Sequence, residues 1–313
     1  MPAIVASSAC KVALTQERLD DAGAPAVETR PLVNSEWGRL RRVMLGSPAH
    51  LALVPCNSVT RESIRKGLST CADTTARQHG TLRRALEAEG VQVDVATGPA
   101  SLPDLSFTRD TSLMTPWGLV GLRPGAWHRA AEVDRVLDTA RDAGLPVIGR
   151  IDRGKVEGGD VAMVKPGLVV IGVSGGRTDE EGAEALAAIF RARGWRALIH
   201  EFDPHFLHLD TIFCMAGEGL ALGCTDVLED EFTDAMRAEG IEILPVTYKE
   251  ARLLGCNVLA LGNRTVITTL ANARVNRELA RRGFRPIPLD LGEFTQCGGG
   301  VHCLTMPLLR DPA

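Results

Sequence analysis

The chain has 313 residues, 45% of them hydrophobic and 24% charged, which supplies a large core for one domain or two. Lysine plus arginine is 35 against 39 for aspartate plus glutamate, a formal charge of -4, and this balance excludes a basic nucleic-acid surface or a cationic membrane-binding face. No apolar run approaches the ~18 residues of a membrane span.

Met1 to Cys10 lack a basic n-region and a convincing apolar h-region, so no signal peptide is expected. Eight cysteines (10, 56, 71, 214, 224, 256, 297 and 303) include no C-x-x-C pair. In a chain this long, that pattern fits reduced thiols in a cytoplasmic protein, without a disulfide framework or a structural zinc site.

Residues 1–30 read as a loosely specified lead-in, with Pro25 and Pro31 interrupting any long element, and residues 31–313 as a single α/β domain. The first clear strand covers 42–46. From there one unit recurs: strand, loop, amphipathic helix, glycine, strand. The helices exit at Gly90, Gly144, Gly194, Gly240 and Gly283, each followed by an apolar residue that opens a strand. The spacings are 54, 50, 46 and 43 residues, a supersecondary array. Within 180–191, Ala183, Leu186, Ala187 and Phe190 fall on one helical face. Five such units could close into a ring around a central pit. A doubly wound open sheet is the alternative, but usually shows no such regular repeat.

Four stretches lie where loops would face that centre. They are Pro103-Asp104-Leu105-Ser106-Phe107-Thr108-Arg109-Asp110, Val156-Glu157-Gly158-Gly159-Asp160-Val161, His205-Phe206-Leu207-His208-Leu209-Asp210-Thr211, and Cys297-Gly298-Gly299-Gly300-Val301-His302-Cys303. Singly, each has a plain structural reading. Asp110 and Asp160 suit turn caps, His208 suits a core histidine, and a cysteine after glycines suits a buried turn. His205 and His208 have no third ligand at a metal-binding spacing, so no metal is expected. The glycine run lacks the lysine and hydroxyl of a phosphate loop. Together, a thiol, a histidine and several carboxylates would converge on a closed ring. The excess of acids points to a cationic ligand, and guanidinium fits because carboxylates accept its paired N–H bonds.

These four stretches resemble those of the guanidino-group-modifying enzymes: arginine deiminases, dimethylarginine dimethylaminohydrolases, agmatine deiminases and amidinotransferases. The resemblance runs from about residue 35 onward, with the motifs in family order. It implies a five-bladed pseudo-symmetric α/β propeller, the pentein fold, of repeated ββαβ-type units. Phe107-Thr108-Arg109-Asp110, Glu157-Gly158-Gly159-Asp160 and His208-Leu209-Asp210-Thr211 are most similar to arginine deiminases. The run Arg123-Pro124-Gly125 to Arg129, and the segment Ile171-Gly172 to Arg177-Thr178 with Glu181-Gly182, resemble the dimethylarginine enzymes, in which arginines at the places of Arg129 and Arg177 hold the substrate α-carboxylate. Two departures stand out. His302 takes the place of an arginine that typically precedes the nucleophile in arginine deiminases, and Asp210 the place of a lysine usual in the dimethylarginine branch.

The resemblance implies Cys303 as nucleophile and His208 as proton donor and then base. Glu157 would orient His208 or bond the guanidinium, and Asp110 and Asp210 would grip the guanidinium. Asp104, Phe107, Gly158, Arg129 and Arg177 complete the expected substrate site, with no cofactor. A cationic substrate would itself favour the Cys303 thiolate. The expected reaction is hydrolysis of free L-arginine or a close analogue to citrulline and ammonia. An amidinotransferase, a dimethylarginine hydrolase, and a silent propeller that only binds a cationic amino acid or a protein partner are the rival readings. Monomer and homo-oligomer are equally open from the sequence.

Overall fold

In the computed structural model, which describes residues 32–313, fifteen strands form five three-stranded sheets. The lead-in expected over residues 1–30 lies outside the described residues. The chain begins with β1 (Leu40–Gly46), helices α1 (Ser58–Arg65) and α2 (Ala72–Ala88), and β2 (Gln92–Ala96). The next unit is β3 (Ser112–Thr115), β4 (Gly118–Gly121), α3 (Ala130–Asp142) and β5 (Val147–Arg150). It is followed by β6 (Val161–Lys165), β7 (Leu168–Val173), α4 (Glu180–Arg191) and β8 (Arg196–Glu201). Then come β9 (Phe213–Gly217), β10 (Leu220–Gly223), α5 (Asp230–Ala238) and β11 (Glu242–Pro245). A short α6 (Tyr248–Ala251) leads into β12 (Leu259–Gly262), β13 (Thr265–Thr269), α7 (Ala273–Arg281) and β14 (Arg285–Leu289). The short α8 (Gly292–Thr295) and β15 (Thr305–Arg310) end the order.

In every sheet the first two strands are antiparallel and the third, reached through the helix, runs parallel to the second. This is a ββαβ unit. The remaining sheet builds the same unit from both chain ends: β15 pairs antiparallel with β1, and β1 parallel with β2. The result is a five-bladed α/β propeller of the pentein type, closed by its last strand.

The helix exits follow the glycine pattern. Gly90, Gly144, Gly194, Gly240 and Gly283 have φ of 77, 74, 77, 82 and 78°. Each donates its N–H to the carbonyl three residues back, and the next residue donates to the carbonyl five residues back, as Val91 does to Leu86 at 3.1 Å and Ile241 to Met236 at 2.9 Å. This double bond satisfies the last helical carbonyls, and the apolar residue after each glycine packs where the next strand must start.

The inner strands β3, β6, β9, β12 and β15 are almost wholly buried, whereas the third strands β2, β5, β8, β11 and β14 each show exposed residues. Inner strands of neighbouring blades pack on one another, β15 on β3, β6 on β9 and β9 on β12. The residues that lead into the inner strands are therefore brought together from distant parts of the chain.

Candidate active site

A residue at the mouth of each inner strand marks the ring: Asp110, Asp160, Asp210, Asn257 and Cys303, at spacings of 50, 50, 47 and 46. The three aspartates sit in one-turn 3-10 helices, Thr108–Thr111, Gly158–Asp160 and Leu209–Thr211. All five residues are at most 4% exposed.

The glycine run is explained by what lies against it. Gly298 has φ +97°, a Cβ on Gly299 would fall on the Phe107 ring, and one on Gly300 would fall on the Asn257 amide. The chain can thus pass between the two side chains and present Cys303. Asn257 donates its amide N–H to Cys303 Sγ at 3.2 Å, and its Oδ1 accepts the His302 backbone N–H at 2.9 Å, which fixes the amide orientation. The Cys303 thiol donates to Asp210 Oδ2 at 3.3 Å. Burial, then Asp210 and Asp110, hold that thiol well above its ordinary pKa in the free protein.

Across the cavity, His208 Nε2 lies 2.7 Å from Glu157 Oε2. Its other nitrogen, Nδ1, has no hydrogen-bond partner and stands 3.8 Å from Asp110 Oδ1. Burial disfavours the imidazolium, but Asp110, Asp160 and Glu157 outweigh it and raise the His208 pKa to about 10. The imidazole is therefore held in its charged form at neutral pH. Glu157 is a hub. It accepts the Gly125 N–H at 2.8 Å and the Arg177 guanidinium at 3.3 Å. Burial opposes its charge, yet Arg177 and His208 keep it below the ordinary carboxylate range. Asp160, one residue before β6, accepts from the Leu209 N–H at 2.8 Å and from the Thr178 hydroxyl at 2.6 Å, so it fixes the turn that carries Asp210.

Of the residues expected from the sequence, Asp104, Phe107, Asp110, Arg129, Arg177, His208 and Cys303 line one cavity. Glu157 and Asp210 stand behind that lining, against His208 and Cys303. Gly158 does not line it. A Cβ there would fall on the Arg109 carbonyl, so the glycine lets the two backbones pack closely. Arg129 is held more tightly than a free carboxylate clamp. Its Nη1 donates to Asp110 at 2.6 Å, Nε to Glu132 at 2.8 Å and Nη2 to the Phe107 carbonyl at 2.7 Å. Arg177 is held loosely, at 3.3–3.4 Å from Glu157 and Cys56.

The sequence reading missed Asn257, whose signal was its ring spacing, and Cys56 and Asn57, which line the cavity from the loop before α1. It also saw no third ligand for a metal near His208. Asp110 and Glu157 do approach it, whereas His205 lies apart, exposed and beside Tyr248. The carboxylates around His208 already accept from Arg129 and Arg177, so their charge is matched by guanidinium groups of the protein.

The sequence profile described as N,N dimethylarginine dimethylhydrolase, eukaryotic, matches residues 52–310. The chain belongs to this family. The hydrolase is 28% identical to the N(G),N(G)-dimethylarginine dimethylaminohydrolase of Pseudomonas aeruginosa, over 73% of this chain and 86% of that one. It is 28% identical to the arginine deiminase of Mycobacterium avium, over 67% of this chain and 61% of the relative. The solved structure of a mutant Pseudomonas aeruginosa enzyme complexed with citrulline superposes with TM-score 0.74 at 26% identity, covering 86% of this chain and 99% of that one. This protein is a guanidino-group-modifying enzyme of the pentein superfamily, a cysteine-dependent hydrolase of amidines.

Proposed function

We propose that the substrate is free L-arginine or a close analogue, hydrolysed to citrulline and ammonia with Cys303 as nucleophile. One observation carries this reading: Asp110 and Asp210 each keep a buried carboxylate oxygen without a hydrogen-bond partner beside the thiol and the imidazole. An unmethylated guanidinium offers N–H groups to both. Each N-methyl group removes a donor, and a buried acceptor left unmatched costs about 1–3 kcal/mol.

The substrate's positive charge lowers the thiol pKa, the thiol proton passes to solvent, and the thiolate attacks the guanidinium carbon. His208, charged before substrate arrives, gives its proton to the departing nitrogen, and ammonia leaves. The resulting amidino-thioether is then hydrolysed by water that the now neutral His208 deprotonates. The carbon–sulfur bond breaks, citrulline is released and the thiol is restored. Arg177, with loosely held donors, binds the substrate α-carboxylate, while Arg129 chiefly aligns Asp110.

Methylated arginine is the second reading, favoured by the family profile and the Pseudomonas aeruginosa relative. Mass analysis of products from arginine, asymmetric dimethylarginine and agmatine, with and without glycine as acceptor, separates the readings. Arginine should give citrulline and ammonia, and glycine should receive no amidino group. A higher kcat/KM with release of dimethylamine from the methylated substrate would establish the second reading instead. Cys303→Ser should abolish turnover, while Cys297→Ser should still form the covalent adduct. Arg177→Ala should weaken kcat/KM for arginine by about 1.5–3 kcal/mol more than for agmatine, which has no carboxylate, and so narrow the preference between them.

A further inference from the structure

Behind the nucleophile and Asp210 runs a buried chain of ionisable groups, His302, Glu36 and Arg109, that the reaction outlined above does not use. Asp210 Oδ2, which accepts from the Cys303 thiol, lies 2.9 Å from His302 Nδ1. His302 Nε2 stands 3.4 Å from Glu36 Oε1, an ion-pair separation rather than a short hydrogen bond. Glu36 in turn lies 3.7 Å from Arg109 Nη1. Each of these residues is no more than 6% exposed. Buried ion pairs contribute little net stability, because desolvation offsets their attraction. A chain of them that ends on the reactive thiol calls for another explanation.

We propose that His302 and Glu36 are positioning residues for the nucleophile: charged His302 offsets Asp210 at the Cys303 thiol, and Glu36 keeps His302 charged. This rests on the assignment of Cys303 above. Asp210 alone would hold the thiol proton in place, since a nearby negative charge disfavours a thiolate. Yet Asp210 must be ionised to accept guanidinium N–H groups. A positive partner on its far side resolves the conflict, because it stabilises the carboxylate and weakens its effect on the sulfur.

The surroundings of His302 fit this assignment. It faces Asp210 from the turn Leu209–Thr211, Glu36 from the segment before β1, Cys214 from β9 and Arg109 from the turn Thr108–Thr111. Burial and Arg109 disfavour its charge, but Cys214, Glu36 and Asp210 together hold its pKa well above the ordinary value. Glu36 itself faces His302, Arg109 and Arg310, which keep it ionised against burial. The thiol faces Asp210, Asp110 and Asn257.

The test follows the rate at which iodoacetamide alkylates Cys303 in the full chain as pH is raised, with the adduct mapped by mass spectrometry. His302→Gln removes the charge and keeps a donor. Glu36→Gln is near-isosteric and lets His302 become neutral, so it carries the test if the first variant does not fold. Both should raise the alkylation midpoint by about one pH unit or more, slowing the reaction about tenfold at neutral pH. His302→Arg should restore the parental midpoint. Folded His302→Gln and Glu36→Gln proteins with the parental midpoint would overturn the proposal, even if kcat fell. An adduct on another cysteine would instead overturn the nucleophile assignment, and this inference with it.

Discussion

His208 shows how much a single side chain depends on its neighbours. Its sequence context, between Leu207 and Leu209, suits a core histidine, and it is indeed buried. Its chemistry comes from three carboxylates that arrive from other blades, Asp110, Asp160 and Glu157. Removing one of them should move its titration in a known direction. Glu157→Gln takes away a negative neighbour and a 2.7 Å partner, so the imidazolium is less favoured and the pKa falls from about 10 toward the ordinary value. The alkaline limb of the kcat–pH profile should move acidward by about one unit or more, and kcat above neutrality should drop about tenfold for each unit. An unmoved limb would mean that another group supplies the proton. Loss of the Arg177 partner should raise KM for arginine separately.

At the scale of the element, two kinds of glycine do different work. Gly240 ends α5 with φ +82°, and nothing lies within 4 Å of the place a Cβ would occupy. Gly240→Ala should cost about 1–2 kcal/mol through backbone strain alone and leave kcat intact. Gly300 has no left-handed conformation to protect, but its Cβ would fall on the Asn257 amide. Gly300→Ala should cost about 1–3 kcal/mol as overpacking and also displace the amide that bonds Cys303. Thermal denaturation combined with single-turnover rates distinguishes the two. Equal loss of kcat in both variants would refute the separation of roles. Both glycine patterns were legible in the sequence, because helix exit and backbone approach are local demands. The partner of Gly300 was not, since Asn257 lies 43 positions away on another blade.

The whole ring depends on β15. It pairs with β1 over the span from Leu40 to Leu45, places Met306 and Leu308 in the core, and carries Arg310, whose Nη1 donates to the carbonyls of Gly38 at 2.6 Å and Ala260 at 2.8 Å. Arg310 thereby ties the first blade to the one containing β12. Truncation before Thr305 should remove the closing strand and expose the inner faces of two blades. We expect no cooperative thermal transition and dye-accessible apolar surface, measured by calorimetry and by fluorescence of a hydrophobic probe. A truncated chain that melts cooperatively at the parental temperature would show that the other four blades hold the ring open-ended.

Within its own residues the sequence determined the unit and its count, because glycine exits, helical periodicity and apolar strands are set by contacts a few residues apart. It also marked Cys303, His208, Glu157 and the aspartates as reactive types, with the family resemblance ordering them. Only the tertiary structure decided which charges face one another. It set Arg129 against Asp110 and Glu132, Asp210 between Cys303 and His302, and Glu36 under His302 from a stretch with no motif of its own. Asp210 meets Cys303 and His302 across blades, and Glu36 meets His302 over 266 positions because β15 returns to β1; Arg129 reaches Asp110 within its own blade, through the packing of α3 on the turn that carries Asp110.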